Sequence, residues 1–118
     1  LIGPKELGMM KSSAFLINAA RGPLIDEGSL YLALTQNRIA GAGLDVLVDS
    51  QPPPDHPLFS LDNVLITPHV AFFSQEAVLE LEQRAAGQVG NVLIGKIPEN
   101  IVNVELLKGN NLRADIKQ

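Results

Sequence analysis

The chain has 118 residues, 46% hydrophobic and 19% charged, enough to bury a core as one domain or part of one. Its formal net charge of -4, with no Lys/Arg cluster, argues against a nucleic-acid surface. No apolar run approaches the roughly 18 residues of a membrane span, and the absence of cysteine removes disulfides, thiol catalysis and thiolate metal sites together.

Pro4 to Lys11 reads as a short helix, with proline in its first turn and Met9 and Met10 available to a core. Ser12-Ser13 breaks it before a short apolar strand, Phe15 to Asn18. The backbone then turns at Arg21-Gly22-Pro23. Asp26 is a good N-cap for a helix reaching about Gln36, and Glu27 favours the positive end of its dipole. Leu30, Ala33 and Leu34 share one face of that helix, and Asn37 marks its stop.

Ile39 to Val46 is a second strand, whose glycines predict the close approach of another backbone or a ligand. Asp45 is a carboxylate near the end of this apolar strand and needs a partner. That partner is either a ligand group or the backbone N–H groups of the following loop. Asp49 to Pro57 is proline-rich and can only be extended or turned. His56, inside it, is expected to pack or hydrogen-bond locally rather than do chemistry.

Val64 to Thr67 is a third strand, β-branched and apolar, ending at Pro68-His69. Ser74 caps a long helix to about Gly95, with Glu76 in its first turn. Val78, Leu81, Ala85, Val89 and Val92 recur along it at helical spacing, a stripe for a core or an interface. Gly87 and Gly90 weaken this helix or admit a neighbour. Pro98 and Asn100 end the pattern, and the stretch from Lys108 onward is polar and expected to fray.

Arg21, Asp45 and His69 each fall at or just past the end of an expected strand, at equal steps about the size of one strand–helix unit plus loops. In an α/β parallel sheet they would gather along the carboxyl edge, where open sheets bind ligands. Arg21 offers a planar fork of donors suited to a carboxylate; otherwise it rests on a solvated loop or caps the sheet edge. His69 is the side chain suited to passing a proton at neutral pH. Together they suit reduction of an α-keto acid, with arginine holding the acid, histidine protonating the nascent alkoxide and a nicotinamide supplying hydride. Two histidines without a carboxylate cluster argue against a metal site. Ser74 lacks a nucleophile-elbow context, which argues against a hydrolase.

Three blocks carry a resemblance. Leu16-Ile-Asn-Ala-Ala-Arg-Gly-Pro-Leu-Ile-Asp-Glu27, Ile39-Ala-Gly-Ala-Gly-Leu-Asp-Val46, and Asp55-His-Pro-Leu58 followed by Asn63-Val-Leu-Ile-Thr-Pro-His-Val-Ala71 resemble the D-isomer-specific 2-hydroxyacid dehydrogenases. The blocks keep the family's order and spacing, and the likeness extends to Asn103. Ala71-Phe-Phe-Ser-Gln-Glu76 is similar to the branch nearest the C-terminal-binding-protein corepressors and phosphoglycerate-dehydrogenase-like enzymes.

The resemblance implies a partial Rossmann-type doubly wound parallel sheet of about three strands with a long C-terminal helix. Residues 1–95 would be the C-terminal half of an NAD(P)-binding domain, including a return helix at 74–95, and 96–118 a tail returning to a substrate domain. Arg21 would grip the substrate's carboxylate and carbonyl, and His69 would be the acid/base. Asp45 would meet the nicotinamide carboxamide, with Ala19, Ala20 and Ala71 lining the nicotinamide pocket mainly through backbone. Arg21 and His69 would also border the cofactor. The implied cofactor is NAD, with NADP left open, and the implied substrate a 2-hydroxy or 2-keto acid. A cytoplasmic homodimer is expected. The alternative is an NAD(H)-sensing or partner-binding module without turnover.

Two departures from the family bear on this. Its glycine-rich G-x-G-x-x-G turn and acidic ribose-binding residue have no counterpart here, and the chain opens at Leu1. A fragment is therefore expected, inactive by itself and self-associating, by exchange of its long helix. The family also usually places a glutamate four residues after the Asp-Val pair, to hold the histidine's tautomer. That position is Ser50; Asp49, one residue early, substitutes if the loop bends, and otherwise His69 is a weaker acid, so turnover at neutral pH is expected to fall below that of ordinary family members.

Overall fold

The computed structural model describes residues 1–108. Residues 109–118 of the expected polar tail lie outside the described residues. The chain divides into two compact units, residues 1–72 and a second beginning at Phe73.

In the first unit, helix α1 (Pro4–Gly8) is followed by strand β1 (Phe15–Asn18), helix α2 (Glu27–Thr35), and strands β2 (Gly41–Leu44) and β3 (Val64–Ile66). The strands form one parallel sheet in the order β1-β2-β3, with Asn18 beside Leu44 and Leu44 beside Ile66. This is the α/β parallel architecture expected, and its carboxyl ends lie in one row. From α1 to β2 helix and strand alternate because apolar strand stretches give way to capped, helically spaced ones, whereas β2 and β3 are joined through the 3-10 turn Pro57–Ser60.

α2 starts where Asp26 Oδ1 accepts the Ser29 N–H at 2.6 Å. It stops where Asn37 takes a left-handed backbone (φ 54°) and the Arg38 N–H returns to the Ala33 carbonyl. α1 is shorter than the expected span to Lys11. The N–H groups of Met9 and Met10 turn back to the carbonyls of Glu6 and Leu7, closing the helix early. Leu7 enters the core and Met10 packs against it, while Met9 is exposed.

The core lies on one face of the sheet. Leu7 of α1, Leu30, Ala33 and Leu34 of α2, and Leu58 of the 3-10 turn Pro57–Ser60 pack with Ala42 and Leu44 of β2. Truncating fully buried Leu30 or Leu34 to alanine is expected to cost about 2–5 kcal/mol. On the other side, alternation along the strands leaves Phe15, Ile17 and Leu65 exposed. A Cβ at Gly41 would stand 2.7 Å from the Asn63 carbonyl oxygen, and one at Gly43 would stand 2.9 Å from Ile17 Cδ1. The close approach expected at these glycines is thus made by neighbouring chain.

The second unit contains helix α3 (Gln75–Leu93). Ser74 Oγ accepts the Ala77 N–H at 3.1 Å, and the helix ends in a left-handed Gly95 (φ 75°). Leu81, Val89 and Val92 are exposed, so the stripe has the character of an interface rather than a core. A Cβ at Gly87 or Gly90 would meet nothing within 4 Å among the described residues. No helix among the described residues is long and apolar enough to cross a membrane.

Candidate functional site

β1 ends in buried Asn18, whose side chain folds the next turn around itself. Asn18 Oδ1 accepts the Ala20 N–H at 3.1 Å, and Nδ2 donates to the Arg21 carbonyl at 3.0 Å. Arg21 is thereby fixed just beyond the strand, exposed, with Nη1 donating to the Ala20 carbonyl at 2.7 Å. Among the described residues the rest of its fork has no hydrogen-bond partner and is open to a ligand. Gly22 lets this turn press on the chain leaving β2, since a Cβ there would lie 2.0 Å from the Leu47 carbonyl oxygen.

Asp45, directly after β2, is 7% exposed and ties all three strand ends together. Its N–H donates to the Asn18 carbonyl at 2.9 Å, and its carbonyl accepts the His69 N–H at 2.9 Å. Its Oδ1 accepts the Thr67 hydroxyl at 2.5 Å and the Val70 N–H at 2.9 Å, while Oδ2 accepts the Ala71 N–H at 2.9 Å. The Thr67 hydroxyl foremost, then the Ala71 and Val70 amides and the neighbouring His69, hold the Asp45 carboxyl below the usual aspartate value, against the opposing effect of its burial. The partners expected from backbone N–H groups are therefore real. They come from the loop after β3 rather than the loop after Asp45's own strand.

That clamp shapes the residue that follows it. His69 has φ 56°, a left-handed conformation uncommon outside glycine, and its N–H is shared between the carbonyls of Asp45 and Thr67. Its ring is exposed, and no hydrogen bond or ion pair among the described residues holds the imidazole.

Arg21, Asp45, Thr67 and His69 border one cleft of about 580 Å³ at the carboxyl end of the sheet, within the size range of small-molecule sites. Asp49 and Ser50 border it too. Asp49 Oδ1 accepts the Gln51 N–H at 2.9 Å, an interaction inside its own turn. Ala19, Ala20 and Ala71 are exposed and lie outside the cleft lining. Ala20 and Ala71 are tied to the site by their main-chain N–H groups alone.

Three further residues build the site. Asn18 had a readable signal, an Asn at the close of an apolar strand just before a turn. Thr67 had none, because a β-branched residue simply completes a strand pattern. The third is Glu27, which does more than face the helix dipole. Its Oε1 accepts the Val48 N–H at 2.7 Å and its Oε2 lies 3.5 Å from His56 Nε2. His56 packs locally as expected, its ring centroid 5.4 Å from that of Phe59, and pairs with Glu27 in addition.

Chemically, the cleft offers one open guanidinium fork, one unheld imidazole and one clamped carboxylate. Among the described residues Asp45 Oδ2 accepts one hydrogen bond, from the Ala71 N–H, and keeps acceptor capacity for a further donor. α2 begins with Asp26 and Glu27, and two carboxylates at that helix start disfavour a pyrophosphate there.

Residues 1–71 match the D-isomer specific 2-hydroxyacid dehydrogenase, NAD binding domain. The chain is 44% identical over 108 residues to a glyoxylate reductase of Thermofilum pendens, covering 92% of this chain and 32% of that protein. It is 43% identical over 104 residues to a D-3-phosphoglycerate dehydrogenase of Methanocaldococcus jannaschii, covering 88% of this chain and 20% of that one. Its fold is similar to a D-isomer specific 2-hydroxyacid dehydrogenase from Lactobacillus delbrueckii in its NAD-complexed form, at TM-score 0.75 and 41% identity over 86% of this chain and 35% of the other. An acyclic imino acid reductase in complex with NADPH and D-Arg is similar at TM-score 0.75 and 41% identity, over 84% of this chain and 31% of that chain. The chain spans about a third or less of the length of these curated relatives.

Proposed function

The chain belongs to the D-isomer specific 2-hydroxyacid dehydrogenases, and we propose that it supplies the nicotinamide-facing part of the NAD(P)-binding domain in an oxidoreductase interconverting a D-2-hydroxy acid and its 2-keto acid. The observation that carries this reading is the single cleft shared by Arg21, Asp45 and His69 at the carboxyl ends of three parallel strands.

Arg21 receives the substrate carboxylate in its open fork and orients the adjacent carbonyl. His69 gives a proton to the carbonyl oxygen during reduction and takes it back during oxidation. Asp45 holds the His69 loop and offers its remaining acceptor site to the cofactor's carboxamide, with Ala19, Ala20 and Ala71 contributing backbone around the nicotinamide. The nicotinamide, when bound, supplies or accepts the hydride. No seat for the pyrophosphate stands among the described residues, and the isolated chain is expected to be inactive and to bind NAD(P)(H) weakly. Self-association into a dimer, through the uncovered stripe of α3, completes the proposal.

The test is steady-state oxidation of NADH and NADPH by the native protein carrying this sequence, with glyoxylate and hydroxypyruvate. Arg21→Lys is expected to raise KM for the acid by about 10²-fold through loss of the bidentate fork. His69→Gln is expected to lower kcat by about 10²–10⁴. Unchanged kinetics in both variants would overturn the reading. A second reading, an NAD(H)-sensing module without turnover, is favoured by Ser50 and by the unheld His69 imidazole. NADH binding without turnover of any 2-keto acid selects it.

A further inference from the structure

The chain between β2 and the turn at Pro57–Ser60 carries three consecutive prolines, Pro52, Pro53 and Pro54, and walls the cleft through Val48, Asp49 and Ser50. Residues 49–51 and 53–55 are exposed, and no buried apolar side chain anchors the middle of the segment. Both of its ends meet one side chain. Glu27, the first residue of α2, takes the Val48 N–H on one carboxylate oxygen at 2.7 Å and faces His56 Nε2 with the other at 3.5 Å. The two side chains are only 15% and 21% exposed for His56 and Glu27, so water competes weakly for the pair. His56 is itself seated against Phe59.

We propose that Glu27 is a positioning residue for the cleft, a clamp that holds residues 48 and 56 together so that the segment between them forms a fixed wall. Prolines restrict the backbone of the segment's middle, so fixing the two ends fixes the whole. Glutamine retains an oxygen for the Val48 N–H and an amide able to hydrogen-bond imidazole, whereas alanine removes both anchors.

The kinetic arm of the test rests on the proposed oxidoreductase chemistry; the exchange arm does not. Amide hydrogen exchange at Val48 and steady-state kinetics with a 2-keto acid are measured on the native protein and its Glu27→Ala, Glu27→Gln and His56→Phe variants. In Glu27→Ala, exchange at Val48 is expected to rise about tenfold. KM for the acid is expected to rise about fivefold or more, with kcat held within about twofold, and Glu27→Gln restores both. His56→Phe keeps an aromatic ring against Phe59 and frees one anchor, so it is expected to raise KM without exposing Val48, and it serves where the alanine variant fails to fold. Unchanged exchange at Val48 in a folded Glu27→Ala protein, or a fall in kcat at constant KM, would overturn the clamp. Wild-type protein without turnover would overturn the chemistry instead, leaving the exchange measurement to decide the clamp.

Discussion

The Thr67 hydroxyl donates to Asp45 Oδ1 at 2.5 Å, a shorter bond than either amide makes to the same carboxylate. Through its main-chain carbonyl Asp45 also fixes His69, so one threonine stands behind the whole loop that presents the imidazole. Thr67→Val keeps the shape and removes the donor. It is expected to lower kcat about tenfold with little change in KM, and Thr67→Ser is expected to restore most of the loss. Wild-type kcat in the valine variant would show that the amides of Val70 and Ala71 hold the loop unaided.

Much of this architecture is readable before any coordinate is known. Asp26 and Ser74 announce helix starts because a side-chain oxygen ahead of a helical pattern satisfies a first-turn N–H, a local requirement. Asn37 announces a stop for an equally local reason, its tolerance of the left-handed conformation. Strand ends are local too, which is why Arg21, Asp45 and His69 can be placed at one sheet edge from the sequence. What stays hidden is long-range. Glu27 reads as a dipole partner because its actual partners, Val48 and His56, lie more than 20 residues away and carry no helix-like signature. Thr67 is hidden by its own fitness for a strand. α1 ends early because its last amides fold back on Glu6 and Leu7, an outcome that the helix-favouring Met9 and Met10 do not announce.

Acid should destabilise this protein in a predictable window. Among the described residues, hydrogen bonds hold four carboxyls below their ordinary values: Asp45 through Thr67, Asp26 through the Ser29 hydroxyl and then its N–H, Glu6 through the Gly3 N–H, and Glu76 through its own N–H and Ser74. Between each folded value and the ordinary 3.8 of aspartate or 4.5 of glutamate, the unfolded chain binds more protons. Stability is therefore fully present above the ordinary values and is lost as pH falls through the folded ones. Asp26→Asn keeps an oxygen for the Ser29 N–H but has no proton to gain. Thermal melts from neutral pH downward should show a shallower acid decline in Asp26→Asn than in the wild type. Parallel declines would assign the acid sensitivity to the other three groups.

Gly22 has no room to become anything else. A Cβ would fall 2.0 Å from the Leu47 carbonyl oxygen and 2.4 Å from the Val48 nitrogen, backbone that cannot rotate away as a side chain would. Gly22→Ala is expected to destabilise the fold by about 2 kcal/mol or more, since overpacking against backbone must move one of the two turns. Because those turns carry Arg21 and the start of the cleft wall, activity should fall further than the loss of folded protein explains. Equilibrium denaturation beside kcat/KM for the folded fraction separates the two effects, and equal losses would confine Gly22 to stability.

α3 exposes Leu81 and Val89 at 59% each, on a helix whose glycines face open space. Contiguous apolar surface of this kind is ordinarily covered. The protein is expected to run as a dimer or larger in light scattering, and Leu81→Glu with Val89→Glu is expected to shift it toward monomer while leaving the helix content by circular dichroism intact. A monodisperse wild-type monomer would remove the self-association from the proposal.

Ser50→Glu would place a carboxylate beside the His69 imidazole. No side chain among the described residues holds its imidazole, and Asp49, the nearest carboxylate in sequence to the family's glutamate position, spends Oδ1 on the Gln51 N–H. Ser50 occupies that position and borders the same cleft. A carboxylate facing a catalytic imidazole fixes its tautomer and stabilises its protonated form, an advantage of about tenfold or more in proton transfer. Ser50→Glu is therefore expected to raise kcat about tenfold near neutral pH, an unusual gain from a single added charge. Asp49→Ala is expected to leave the pH–rate profile where it was, because its carboxylate is engaged in its own turn. The opposite pair of results, no gain from Ser50→Glu and a displaced profile in Asp49→Ala, would mean that the loop bends during turnover and brings Asp49 to His69.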